Sequence, residues 1–254
     1  MTWSAAQYST FENERTRPVR DLVAALPQRA IRTAIDLGCG PGNSTQVLAK
    51  RYPEAAVTGL DSSRDMLAAA RQRLQGIEFE LGEIGTWTAP QGMDVILANA
   101  SLQWLPDHAL LYPHLARQLS EGGSLAIQTP DNLDEPAHRQ AREIASRGPW
   151  ADKIGAIKHP PRHSAAFYYD VLSPHCRQVD VWRTTYYHPL MGGAQAVVEW
   201  FKGSALRPYL AALGEQEQAD FLQLYLQAMQ HDYPAAADGK VLLPFPRLFI
   251  VATR

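Results

Sequence analysis

The chain alternates between short apolar runs and longer stretches whose apolar positions recur at helical spacing. "RTAIDL", "AAVTGLD", "IEFEL", "GMDVILANA" and "GGSLAIQTP" are rich in Val, Ile, Leu and Ala and bounded by turn residues, so they read as buried strands. Between them, "NERTRPVRDLVAALP", "GNSTQVLAKRY", "SSRDMLAAARQRL" and "DHALLYPHLARQL" carry one apolar face each and read as helices. Ser62 or Ser63 is placed to cap the third of these. Strands separated by helices of this length predict an α/β fold with a parallel sheet and right-handed crossovers.

After Pro130 the rhythm breaks. Residues 131–163 are polar, rich in Pro, His and Arg, and only patchily helical in pattern. "SAAFYYDVLSPH" restores a helix, and "RQVDVWRTTYYH" alternates as a strand. That alternation puts Arg183, Thr185 and Tyr187 on one face and Trp182, Tyr186 and His188 on the other. Residues 193–233 read as two or three helices, and "RLFIVATR" as a last strand. The two late strands predict an antiparallel pair with a helical insertion at about 190–240, expected to form a lid on one domain spanning residues 1–254.

Composition narrows the class. The 254 residues carry 24 Lys and Arg against 26 Asp and Glu, and the basic residues are scattered, which argues against a nucleic-acid surface. Cys39 and Cys176 form no spaced set, so neither a metal nor a disulfide framework is expected. The first residues lack an apolar core of the signal-peptide type, and no stretch reaches the length needed to span a bilayer. A soluble cytoplasmic protein without a membrane partner is expected; oligomeric state is open.

The chemistry concentrates in "AIDLGCGPGNST". Asp36 closes the first strand, and Gly38, Gly40 and Gly42 follow before the next helix. Such a turn at the carboxyl end of a parallel strand is where open α/β sheets place ligands, and glycine lets the backbone approach them closely. Asp61 ends the second strand, where a carboxylate can accept from two ribose hydroxyls. A dinucleotide site wants Gly-x-Gly-x-x-Gly and a helix start open to pyrophosphate. Here the spacing differs, Pro41 removes a backbone donor, and Asp36 sets a carboxylate beside the turn. That combination favours an amino-acid-bearing nucleoside over NAD.

"DLGCGPGNST", "GLDSS", "GEI" and "DVILANASLQWLPD", in this order, resemble the class I S-adenosylmethionine (SAM) dependent methyltransferases. The resemblance implies a Rossmann-like sheet, mostly parallel with a C-terminal antiparallel strand, and SAM as cofactor with S-adenosylhomocysteine as product. It implies that Asp36, Gly38, Gly40 and Asn43 approach the methionine part, Asp61 the ribose, and Ser62 and Met66 the adenine. Glu83 and the Ile84 amide are implied at the adenine amino edge, where many relatives carry Asp instead of Glu83. Asn99 and Ala100 would meet the methionine group. Tyr8 and Arg15, in phase on an N-terminal helix, would fold over the cofactor, with Arg15, or else Arg17, pairing to its carboxylate.

The later segments "DVWRTTYYH", "LRPYL" and "LPFPRLFIVA" resemble the bacterial trans-aconitate 2-methyltransferases, which implies methyl transfer to one carboxylate of a small polycarboxylate. Arg183, Arg207 and Arg247 suit that acceptor, since the planar guanidinium matches a carboxylate bidentately. Tyr187, Gln103 and Trp104 complete the expected acceptor set. No general base is needed, because a carboxylate is already ionised at neutral pH. His108 and His188 could serve as bases for a hydroxyl or carbon-acid acceptor, the main alternative, and each reads more readily as structural. A non-catalytic SAM-binding protein is the other alternative.

Overall fold

The computed structural model describes residues 12–157 and 162–254, with the side chains of all of these except 12–15. The elements begin α1 (Glu12–Ala24), β1 (Thr33–Leu37), α2 (Asn43–Arg51), β2 (Ala56–Asp61), α3 (Arg64–Arg73), β3 (Glu78–Leu81) and β4 (Met93–Asn99). They continue with α4 (His108–Arg117), β5 (Leu119–Pro130), α5 (Pro136–Arg147), α6 (Ala151–Ile154), α7 (Ala165–Leu172) and β6 (Gln178–Leu190). The last are α8 (Gly193–Lys202), α9 (Arg207–Leu210), α10 (Glu215–Asp232) and β7 (Val241–Thr253).

The strands form one sheet in the order β3-β2-β1-β4-β5-β7-β6. Pairs from β3 through β5 are parallel, and β7 runs antiparallel to β5. The strand order therefore reverses between β1 and β4, which opens a crevice at their carboxyl ends. Ile35, Leu37, Ile96, Ala98, Leu125, Ile127, Leu248 and Ile250 share one core with Leu111 and Leu115 of α4 and with Tyr168 and Leu172 of α7. Alternation along each strand then turns Asp36, Asn99, Gln128 and Arg247 to the opposite face. Polar groups thus line up on one side of the sheet towards its carboxyl edge.

Element boundaries depart from the sequence expectation in three places. β5 and β7 start earlier than the apolar runs indicate, at Leu119 and Val241. Residues 131–157 hold two helices, and the buried face of α5 consists of Ala137, His138, Ala141 and Ala145. That face carries no large aliphatic side chain.

The chain divides into two compact units, residues 1–130, 162–184 and 247–254 in one, and 131–161 and 185–246 in the other. The second packs around Trp150, Tyr209, Phe221 and Tyr225, all fully enclosed. Tyr225 donates its hydroxyl to the Ala137 carbonyl at 3.1 Å, and the Ala137 amide donates to Tyr233 Oη at 3.0 Å, so α5 is tied to α10 at both polar groups of one residue. β6 keeps the predicted alternation, with Tyr186 and His188 buried and Arg183 and Tyr187 exposed. Trp182 stacks on Phe249 with ring centroids 5.0 Å apart.

The amino ends of three strands meet on one carboxylate. Asp94 accepts from the Arg32 amide at 2.8 Å, the Thr33 amide at 3.3 Å, Ser120 Oγ at 2.7 Å and Arg29 Nη2 at 2.7 Å. Burial pushes this carboxyl up, and the hydrogen bonds and the Arg29 charge overcome it, holding it below the usual carboxylate range. Its stabilisation is complete above about pH 4 and is lost as pH falls through the lowered value. Asp94→Asn is expected to cost about 1–3 kcal/mol, read as a lower midpoint in a thermal melt at neutral pH. An unchanged midpoint would deny this carboxylate a part in aligning the strands.

Candidate functional site

The turn from β1 to α2 owes its shape to positive-φ glycines. Gly38, Gly40 and Gly42 lie at φ 76°, 55° and 88°. A Cβ on Gly38 would stand 2.4 Å from Ser101 Cβ, whereas one on Gly40 would meet nothing within 4 Å. Gly38 is therefore required by packing, while at Gly40 the positive φ favours glycine, on the side left open to a ligand. Ser101, which presses on Gly38, donates its hydroxyl to the Leu37 carbonyl at 2.7 Å, locking the β4 turn against the β1 turn.

Asp36 lies beneath this turn, fully buried. Its Oδ2 accepts from Ser44 Oγ at 2.6 Å and Thr45 Oγ1 at 2.7 Å, so the carboxylate holds the first turn of α2 to β1. Its Oδ1 is enclosed and has no protein partner among the described residues. Burial raises its pKa to about 6; the two hydroxyls lower it and the neighbouring Asp61 charge raises it. A carboxylate sealed from water with one oxygen unmatched gains most from a cationic or donor ligand. Asn43, which opens α2, also keeps an enclosed and unmatched Oδ1.

Asp61 is fixed by backbone: its Oδ2 accepts from the Gly40 amide at 2.9 Å and its Oδ1 from the Ser63 amide at 2.9 Å. Each oxygen retains a lone pair for a hydroxyl donor. Ser63, of the two possible caps, accepts from the Met66 amide at 3.4 Å, leaving Ser62 exposed. Met66 and Ile84 are buried, and Glu83 is exposed at the start of a short 3₁₀ turn. Open glycine, a ribose-type carboxylate and an unmatched buried carboxylate fit a nucleoside carrying an amino group. A diphosphate would face two carboxylates and a Pro41 without N–H.

The turn after β4 is strained. Ala100 sits at φ 55°, left-handed backbone that costs a non-glycine residue about 1–2 kcal/mol. Its amide donates to the Gln128 carbonyl at 2.8 Å, and its carbonyl accepts from Gln103 Nε2 at 2.8 Å. These two bonds hold the strained peptide, which presents Asn99 and Ala100 at the crevice. Gln103 is buried, and Trp104 is 52 % exposed, so its ring is not core packing. Arg247 is buried beside Pro130, its cross-strand partner, and donates from Nη1 to Gln128 Oε1 at 2.9 Å.

The structure thus brings Asp36, Gly38, Gly40, Asp61, Asn99, Ala100, Gln103 and Arg247 to the carboxyl ends of β1, β2, β4 and β5 within one unit. Arg183 lies in the same unit on the exposed face of β6. Arg207, at the start of α9, and Tyr187 belong to the other unit. Tyr8 lies outside the described residues, as does the side chain of Arg15. Sequence reasoning missed Ser44 and Thr45 as partners of Asp36, Gln128 as partner of Arg247, and Arg162. The last donates from Nε to the Pro130 carbonyl at 3.4 Å and from Nη1 to the Gln103 carbonyl at 3.5 Å. Only its cationic character, in a Pro- and His-rich stretch, marked it in the sequence.

Neither histidine is poised as a base. His108 Nε2 donates to the Leu102 carbonyl at 3.0 Å, so Nδ1 accepts from Tyr168 Oη at 2.9 Å. Burial lowers its pKa. His188 is buried in a stack with Trp200, ring centroids 5.0 Å apart.

Residues 31–169 match a family described as a methyltransferase domain. The chain is 50% identical over 256 residues to a trans-aconitate 2-methyltransferase of Sinorhizobium fredii, covering 100% of this chain and 99% of that one. It is 51% identical over 253 residues to the enzyme of the same name from Yersinia pestis, covering 98% and 97%. Among solved structures, the YcgJ protein of Bacillus subtilis superposes with a TM-score of 0.58 at 13% identity, covering 94% of this chain and 98% of that one, which speaks for the fold alone. The chain belongs to the methyltransferase domain family, in the branch that holds these trans-aconitate 2-methyltransferases.

Proposed function

We propose that this protein is an S-adenosylmethionine-dependent O-methyltransferase that esterifies one carboxylate of trans-aconitate, releasing S-adenosylhomocysteine and a monomethyl ester. The observation that carries the reading is the half-identity, over the full chain, to enzymes of that name. The donor set at the carboxyl edge supports it. The free thiols of Cys39 and Cys176, and the lack of a helix long and apolar enough to cross a membrane among the described residues, accord with a cytoplasmic enzyme.

Asp36 Oδ1 would take the amino group, Gly38, Gly40 and Asn43 the methionine chain, and Asp61 the ribose hydroxyls. Ser62, Met66, Glu83 and Ile84 would border the adenine, with Asn99 and Ala100 against the methionine end. Tyr8 and Arg15 keep their place over the cofactor in this reading. Bound S-adenosylmethionine supplies an electrophilic methyl group, taken up by an acceptor carboxylate oxygen as the carbon–sulfur bond breaks. The chain's task is then orientation and exclusion of water, since the nucleophile is ionised at neutral pH. Arg247 and Arg183 would hold carboxylates that do not react, and Gln103 and Trp104 would shape the methyl-transfer cavity. A hydroxyl or carbon-acid acceptor would need a base, and His108 is committed at both ring nitrogens.

Incubation with methyl-labelled S-adenosylmethionine and a panel of acids is expected to give a trans-aconitate methyl ester. Turnover of cis-aconitate, isocitrate and citrate is expected to be much weaker; label appearing only on phenols or quinols would overturn the acceptor. A second expectation concerns Asp36. Its raised pKa means that the empty protein loses stability from this group as pH rises from about 4 to about 6, where the native carboxyl ionises. A cationic amino group restores what burial costs and needs the ionised form. Calorimetric affinity for S-adenosylhomocysteine is therefore expected to weaken as pH is lowered through about 6, a dependence that Asp36→Asn removes. A flat wild-type profile over that range would exclude the amino–Asp36 contact.

A further inference from the structure

We propose that Arg162 is a specificity-determining residue of the acceptor pocket, donating to a carboxylate of the bound tricarboxylate that does not react; this rests on the acceptor reading above. Its carbonyl contacts, to Pro130 at 3.4 Å and Gln103 at 3.5 Å, place the guanidinium. Pro130 ends β5, and Gln103 lies in the turn after β4, so Arg162 stands over the carboxyl ends of the two strands that flank the strained Ala100 peptide.

The surroundings point to the same ligand chemistry. Pro130 is the cross-strand partner of Arg247, so two guanidinium groups converge on one strand end. Two residues before it, Gln128 is wholly buried. Its Oε1 is taken by Arg247, which fixes the amide orientation and leaves Nε2 as an enclosed donor with no protein partner among the described residues. Buried amide donors in folded proteins are nearly always satisfied, and one left over at a sheet's ligand-binding edge is completed by the ligand. Two planar cations and a neutral amide donor are suited to an anion bearing several carboxylates. The reacting carboxylate needs none of them and stays nucleophilic. Arg162 and Gln128 hold the others, and so distinguish a tricarboxylate from a smaller acid.

The test compares Arg162→Gln, Arg162→Lys and Gln128→Glu with wild type, using trans-aconitate, dicarboxylates that each lack one of its carboxylates, and calorimetry with S-adenosylhomocysteine. Arg162→Gln is expected to raise the trans-aconitate KM at least about tenfold, the loss of a charge-assisted contact, while kcat and S-adenosylhomocysteine affinity stay within about threefold. Arg162→Lys should recover part of that loss, and one dicarboxylate should be turned over equally by Arg162→Gln and wild type. Gln128→Glu keeps an acceptor for Arg247 but replaces the Nε2 donor with an oxygen, and is expected to lower kcat/KM for trans-aconitate by at least about tenfold without a lower thermal midpoint. An unchanged KM in Arg162→Gln, equal losses on every acid, or a parallel fall in S-adenosylhomocysteine affinity would overturn the role of Arg162. If wild type itself methylates no tricarboxylate, the acceptor reading fails and this role with it. Turnover by wild type with an indifferent Arg162→Gln removes the role alone.

Discussion

A carboxylate sealed under a glycine turn organises this protein. Asp36 gives one oxygen to Ser44 and Thr45, which binds the start of α2 to the end of β1 and shapes the loop between them. The other oxygen is enclosed, with no protein partner among the described residues. Burying a charge this way is costly unless a partner arrives, and the cost is visible in the raised pKa of about 6. The loop is thus built for a positively charged guest, and the open side of Gly40 gives that guest room.

The rest of the carboxyl edge extends the logic to a second ligand. Asp61 braces the loop through the Gly40 amide and keeps capacity for hydroxyl donors. Beyond β4, the strained Ala100 peptide is held by Gln103 and the Gln128 carbonyl, and the side chains there mix the donors of Arg247 and Gln128 with the enclosed oxygens of Asn99 and Gln103. A cationic methyl donor is favoured at the Asp36 end, and an anionic acceptor is favoured where the Arg247 guanidinium stands. Catalysis then depends on geometry, with no proton to move.

Much of the cofactor side was legible because its residues act close to where they stand in the chain. Gly38 and Gly42 are recognisable because only glycine tolerates those dihedrals, and Asp61 because it ends the next parallel strand. Alternation alone separated Tyr186 and His188 from Arg183 and Tyr187 onto opposite faces, and the structure buries the first pair. The acceptor side was less legible. α5 buries three alanines and a histidine, with no large aliphatic side chain to mark its inner face. Arg162 comes from a segment with no periodic signal, and Gln128 reads as an ordinary residue in an apolar strand until its cross-strand partner is known.

The amino-acid sequence by itself determined the alternation of strand and helix, the positive-φ turn and the acidic strand ends, because each follows from local backbone sterics or side-chain chemistry. Tertiary structure decided which face Asp36, Asn99, Gln128 and Arg247 share, and that Ser101 abuts Gly38. It also decided that Arg162 meets the ends of β4 and β5. Those are contacts between residues far apart in the chain, set by strand order and register, and no local pattern encodes them.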